Sequence, residues 1–137
     1  MSYIDGLRSQ MNDTERSIDN CRNKKTTVDE KIAVLKEARK EVGEIKKDIS
    51  RQKKGVKSTF ENLYGWKGSN YDEYEEQVHE GLKVEYKQYH NGVDDVLDAI
   101  NDEITRLKNE SYDLDDSLRW LKSKANILFN EIRNAVN

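Results

Sequence analysis

The stretch ENLYGWKGSNYDEYEE, residues 61–76, decides the fold because it separates two long regions of helical periodicity. Gly65 suits the position just after a helix, where a left-handed backbone is favoured. Ser69 or Asn70 suits the N-cap of a second helix. The acidic residues that follow would lie at the positive end of that helix's dipole. The stretch therefore predicts a tight turn over residues 64–69.

The residues before and after this turn repeat every seven positions, as one face of a helix does. In the first half the repeat consists of Leu7, Thr14, Cys21, Val28, Leu35, Val42, Ile49, Val56 and Leu63. In the second half it consists of Val93, Ile100, Leu107, Leu114, Leu121, Leu128 and Ala135. We expect one helix over residues 3–63 and another over about 70–135, with a bend or short break near 90–92.

Composition supports long amphipathic helices over a compact globular core. The 137 residues include no proline, and 37% are charged against 34% hydrophobic. Such polarity is also typical of disordered chains, but disorder does not produce strict apolar periodicity. We predict an all-α fold: a long antiparallel two-helix hairpin, coiled-coil-like, forming a single domain over residues 1–137.

A hairpin centred on Trp66 would pair residues whose numbers sum to about 132. This register brings apolar residues together, for example Ile18 with Leu114. It also places a basic block opposite the acidic region at 75–86, and opposite flanking charges can set the orientation of paired helices. The basic block consists of Lys46, Lys47, Arg51, Lys53, Lys54 and Lys57.

The sequence shows no arrangement typical of catalysis. His79 and His90 are about three helical turns apart, and Cys21 falls on the apolar repeat. No glycine-rich phosphate loop and no Cys/His spacing for a metal is present. We therefore expect a protein that is not an enzyme and that uses no metal or cofactor. We also expect no membrane insertion, because no apolar run approaches the roughly 20 residues needed to span a bilayer.

The motif Trp66-Lys67-Gly68, in a turn between two heptad-patterned helices, resembles the WXG motif of small type VII secretion proteins. Trp66 and Gly68 are the residues that carry this resemblance. At 137 residues the chain is longer than those proteins and looks more like the helical proteins associated with LXG toxins of Gram-positive bacteria. The first role expected for Trp66 is to cover the open end of the hairpin, and recognition by the secretion apparatus is a second role that the resemblance implies.

The resemblance implies an adaptor or targeting chaperone that binds an LXG-domain toxin, with a second small helical protein as a further candidate partner. It implies a cytoplasmic protein, with export by type VII secretion without a cleaved signal peptide left open. The family's Y-x-x-x-D/E signal has two matches, Tyr71 with Glu75 and Tyr112 with Asp116. Ordinary packing of the two tyrosines is the competing interpretation.

Trp120, Ile127 and Val34 fall outside the apolar repeats and are predicted to form a partner interface, since tryptophan often anchors such interfaces. Scattered exposed apolar residues are the simpler interpretation. Two other functions stay open. The chain could be a self-associating structural coiled coil, a homo-oligomer without a role in secretion. It could also be a regulator that binds nucleic acid or a membrane surface through the basic block, although the net charge of −3 argues against nucleic acid.

Overall fold

The structure, a computed structural model, describes residues 2–63 and 80–137, with side chains given for all of these except 56–63. Helix α1 spans Tyr3–Leu63 and helix α2 spans Glu80–Val136. Helix α2 is continuous through residues 90–92, where the sequence favours a bend or short break. The described part of the chain contains no strand.

Helix α1 begins with a reciprocal hydrogen-bonded cap. The backbone N–H of Asp5 donates to Ser2 Oγ at 3.2 Å, and the backbone N–H of Ser2 donates to Asp5 Oδ2 at 3.4 Å. This arrangement satisfies two amide donors that a helix N-terminus otherwise leaves unpaired. The Asp5 carboxylate also lies at the positive end of the helix dipole. The cap fixes the first residue of α1.

Contacts divide the chain into two units, of which unit 1 consists of Met1–Val34 and Ile104–Asn137. Each of its two helical segments buries one face against the other segment. The buried residues are Leu7, Thr14, Ile18, Cys21, Val28 and Ile32 from α1, and Ile104, Leu107, Ser111, Leu118 and Leu128 from α2. At its centre Ile18, Cys21 and Leu118 pack together, with Leu114, Leu121 and Ala125 against them. The predicted heptad faces therefore form the core of this unit.

Unit 2 consists of Leu35–Glu103. Ile49 is the one buried residue among its described side chains, while Leu35, Val42, Leu82 and Leu97 are half-buried. Charged residues occupy part of the contact face here, because Arg39 and Lys46 replace apolar residues in the repeat. The interhelical contact of unit 2 is consequently more polar than that of unit 1.

Four polar pairs define how the helices face each other within the units. Lys25 pairs with Asp115, and Ser111 Oγ donates to Asp29 Oδ1 at 2.9 Å in unit 1. In unit 2 Arg39 Nη1 donates to Asn101 Oδ1 at 3.0 Å, and Lys46 Nζ lies 2.6 Å from Asp94 Oδ1. Residue numbers rise on one helix as they fall on the other, so the segments run antiparallel. The predicted all-α hairpin is confirmed, and the single-domain assignment stays a prediction.

The predicted register is wrong by about one heptad. The residue numbers of all four polar pairs sum to 140 rather than about 132. If one helix is moved along the other by seven residues, apolar residues again lie opposite apolar residues. Apolar matching alone therefore cannot distinguish the two registers. The predicted value came from centring the turn on Trp66, which lies outside the described residues.

A disulfide test separates the two registers, because Cys21 is the only cysteine in the chain. Cys21 packs against Leu118 in the structure, whereas the register of 132 would place it opposite Ser111. We predict that Leu118→Cys forms an intramolecular disulfide with Cys21 on mild oxidation and that Ser111→Cys does not. Non-reducing electrophoresis of the monomer and peptide mapping would measure this. Efficient cross-linking by Ser111→Cys alone would contradict the observed register.

Candidate interaction surfaces

One face of α2 in unit 1 points away from the core and carries most of the predicted interaction residues. At roughly 100° per residue, Tyr112, Asp116, Trp120 and Ile127 fall within an arc of about 80°, opposite the buried leucines. Their side chains are exposed, with Trp120 at 63% and Ile127 at 57%. We call these four residues the α2 strip. Residues of two separate predictions, the partner interface and the candidate secretion signal, thus lie on one face of α2.

Trp120 is a large apolar side chain that the fold leaves uncovered. Its described ring contact is with Lys124, whose Nζ lies 5.5 Å from the ring centroid, one helical turn further along. A cation–π contact at an exposed site contributes about 0.5–1 kcal/mol, so it orients the ring without burying it. Trp120 is therefore available to a partner.

The Tyr112–Asp116 match to the secretion signal is accessible in the structure. Tyr112 is exposed, and the Asp116 carboxylate lies 3.7 Å from Arg119 Nη2 in a solvent-exposed pair. Such pairs contribute little, so a receptor could displace Arg119 at small cost. The other match, Tyr71 with Glu75, and the motif residues Trp66 and Gly68 all lie outside the described residues.

Val34 is exposed on α1 and does not lie beside the α2 strip. In the observed register Val34 is level with Arg106, which is 14 residues from Trp120 on α2 and hence about 21 Å along the helix. The structure therefore does not bring the three predicted interface residues together. A contact that includes Val34 would require a partner that extends across both helices of unit 1.

Among the described side chains of unit 2, no ion pair joins the basic block to the acidic residues predicted to oppose it, of which Glu75 and Glu76 lie outside the described residues. Lys46 pairs with Asp94, and Arg51 Nη1 lies 3.1 Å from Asp48 Oδ1 on its own helix. Lys53 and Lys54 instead share a groove of about 500 Å³ with residues 83–90 of α2. For the described residues Glu80 and Glu85 the predicted pairing is not observed, because the assumed register was about one heptad away from the observed one.

That groove gathers positive charge from both helices, and sequence analysis missed it. Lys53 and Lys54 lie on one side, Lys83 and Lys87 on the other, and Ile49 and Tyr86 form part of its lining. We call it the basic groove. The charge comparison in the sequence considered only the acidic residues of 75–86, although Lys83 lies in the same region and Lys87 directly follows it. A second groove of about 530 Å³ also contacts Ile49 and Tyr86, but it carries the carboxylates of Asp48 and Glu85.

The described residues contain no group of three His, Cys, Asp or Glu side chains that could hold a metal ion. Cys21 is buried, and its thiol donates to the Leu114 carbonyl at 3.4 Å. The His90 ring lies 3.4 Å from Asp94, while His79 is outside the described residues. No helix in the described part of the chain is long and apolar enough to cross a membrane.

The Lys46–Asp94 pair makes the stability of unit 2 depend on pH. The hydrogen bond from the Lys46 ammonium, together with the charges of Lys46 and His90, lowers the pKa of Asp94 despite partial desolvation. Since the folded-state pKa lies below the unfolded one, the stabilisation is present at neutral pH and is lost as the pH falls through the lowered value.

We predict that Asp94→Asn lowers the free energy of unfolding at pH 7 and has a much smaller effect at pH 2.5. Urea denaturation of both proteins at the two pH values would measure this, and an NMR titration of the Asp94 carboxyl would report its pKa directly. Asp95→Asn is the control, because it removes a neighbouring carboxylate while leaving the Lys46–Asp94 ion pair in place. An equal effect of Asp94→Asn at both pH values would contradict the prediction.

Comparison with known proteins supports one of the resemblances. No curated protein and no solved structure matches the chain. One protein family, described as YwqH-like, matches residues 6–129, which include nearly all of α1 and α2. YwqH-like proteins are helical proteins associated with LXG toxins, so this part of the predicted resemblance is confirmed. The relationship to WXG proteins still rests on Trp66 and Gly68. On the match over residues 6–129, the chain belongs to the YwqH-like family.

Proposed function

We propose that this chain is a non-enzymatic helical adaptor that binds an LXG-type toxin and supports its export by a type VII secretion system. The observation that carries the proposal is the α2 strip, an exposed apolar and aromatic face in a protein of a family associated with LXG toxins. In this function the chain needs no cofactor. It meets its partner in the cytoplasm, and a second small helical protein can occupy a remaining face.

The strip has the composition of an interface centre. Trp120 and Ile127 are seven residues apart, so a helix lying along α2 could contact both in consecutive heptads. Aromatic side chains often dominate the binding energy of interfaces once their surroundings are desolvated. Because the core of unit 1 lies on the opposite side of α2, a partner could cover the strip without disturbing the fold.

Tyr112 and Asp116 occupy the same face, about 12 Å and about 6 Å along the helix from Trp120. One partner could cover Trp120 and Ile127 while leaving the tyrosine and the carboxylate open to a receptor of the secretion system. This proximity supports a signal that is read on the loaded adaptor. The export step of the proposal depends on this pair.

We predict that Trp120→Glu/Ile127→Glu weakens binding of the cognate LXG domain about a hundredfold, because it places charges where apolar contact is required. Isothermal titration calorimetry would measure the affinity. Circular dichroism should show unchanged helicity, since substitutions at exposed positions rarely change stability by more than about 0.5 kcal/mol. Asn12→Glu/Asn20→Glu is the matched control, with the same change in charge at exposed positions of α1. Unchanged affinity in the α2 variant would reject this surface.

The same variant tests the structural alternative. If the strip joins copies of this chain, the unaltered protein sediments as a stable oligomer without any toxin, and Trp120→Glu/Ile127→Glu sediments as a monomer. An adaptor whose strip is reserved for a toxin instead sediments identically with and without the substitutions.

We predict that Tyr112→Ala/Asp116→Asn abolishes export of the toxin from the native host while its affinity for the LXG domain changes less than about threefold. Immunoblots of the culture medium and of cell lysates would measure export. Tyr89→Ala/Asp95→Asn makes the same chemical changes at exposed positions of unit 2 and should export normally. Normal export by the Tyr112 and Asp116 variant would show that the signal lies elsewhere.

A further inference from the structure

The basic groove of unit 2 combines an apolar floor with positive rims. Ile49 is buried at 8% exposure and Tyr86 is half-buried, so both line the groove without projecting from it. The lysines are exposed on either side, with Lys83 and Lys87 four residues apart on one helix face. The groove lies between two antiparallel helical segments.

The charge of these lysines is not neutralised by the described residues. No ion pair joins Lys53, Lys54, Lys83 or Lys87 to a carboxylate in the described part of the chain. Asp94, the acid close to His90, is already paired with Lys46. A ligand that brings carboxylates to the rims would therefore meet four ammonium groups that no described carboxylate pairs with.

The construction of the groove disfavours several anionic ligands. Its described residues lie inside helices, where backbone N–H groups bond within the helix, so they form no backbone nest for a small phosphate. Its described lining contains no arginine, and its aromatic ring is recessed, which is poor for stacking nucleic acid bases. A membrane surface would require apolar groups that project, whereas Ile49 and Tyr86 lie in the floor.

A helix satisfies both features of the groove at once. Apolar residues at helical spacing could cover Ile49 and Tyr86, as in other complexes in which a helix occupies a groove. Acidic residues flanking that apolar row would then lie at the level of the lysines, in the way that flanking charges select partners in coiled coils. Neither a small phosphate, nor a nucleic acid, nor a membrane surface both fills the recess and pairs with both rims.

We propose that the basic groove binds an acidic amphipathic helix of a partner protein. The proposal rests on the proposed function only in taking the partner to be a helical protein, and its site in unit 2 is separate from the α2 strip. Binding here would add a charge-selective contact to the apolar contact made by Trp120 and Ile127.

Two synthetic helical peptides test the proposal without knowledge of the partner. Both carry leucine at positions i, i+3, i+7 and i+10; one carries glutamate at the flanking positions and its twin carries lysine there. Fluorescence anisotropy with the full chain should show that the glutamate peptide binds at least about tenfold more tightly, and that its affinity falls as salt is raised.

The matched variants are Lys53→Glu/Lys87→Glu, which reverses one charge on each rim, and Lys36→Glu/Lys40→Glu, which reverses two exposed lysines of α1 outside the groove. The first should lose about tenfold in affinity for the glutamate peptide and gain affinity for the lysine peptide, whereas the control should change less than about twofold. Lys53→Gln/Lys87→Gln should give an intermediate loss, and thermal unfolding should show that all variants remain helical.

The possible outcomes distinguish this proposal from the proposed function. Equal affinity for the two peptides, or the same loss in both charge-reversal variants, overturns the acidic-helix proposal. So does tighter, groove-dependent binding of a 20-base-pair DNA duplex or of phosphatidylserine vesicles. If the cognate LXG domain binds normally to Lys53→Glu/Lys87→Glu but not to Trp120→Glu/Ile127→Glu, the groove serves another helical partner and the proposed function stands.

Discussion

Four polar pairs across the helices determine which heptad register this protein adopts, and the remaining surfaces depend on that choice. In the observed register Lys25 meets Asp115 and Lys46 meets Asp94. A shift of one heptad in one direction would place Lys25 opposite Lys108 and Lys46 opposite Lys87. A shift in the other direction would place Lys25 opposite Lys122 and Arg39 opposite Lys108. Each neighbouring register therefore replaces attraction with repulsion at two positions, although its apolar rows still coincide.

These pairs contribute more to specificity than to stability. Both ion pairs are partly exposed to water, where the attraction is small and the entropy of holding two long side chains offsets much of it. Their value lies in the free-energy difference between registers, since like charges held face to face destabilise the competitors. The apolar residues hold the two helices together, while the polar pairs select one of the alignments that those residues allow.

The register also explains what the sequence could and could not predict. The heptad rows from Leu7 and Val93 predicted two helices and an antiparallel pair, because burial of one apolar face is a local property of each helix. The alignment of the helices depends on both of them and is not a local property. The charges of residues 46–57 and 75–86, compared as whole regions, do not distinguish alignments that differ by seven residues. Lys25 and Lys46 distinguish the registers, because a shift of one heptad toward the predicted alignment places each of them opposite another lysine. Trp120 and Ile127 were recognised as candidates because their departure from the apolar repeat is visible in the sequence alone.

Because the inward-facing residues account for the fold, the outward-facing residues are informative about function. Because both helices satisfy their backbone hydrogen bonds internally and bury one face each, the fold makes no demand on the opposite face of α2. A polar residue at position 120 would support the helix at least as well as tryptophan and would not place a large apolar ring in water. Trp120 is thus unexplained by folding, whereas Leu118, two residues earlier, is fully explained by its contacts with Ile18 and Cys21. The contrast between these neighbours is the physical reason for assigning the outer face of α2 to a partner.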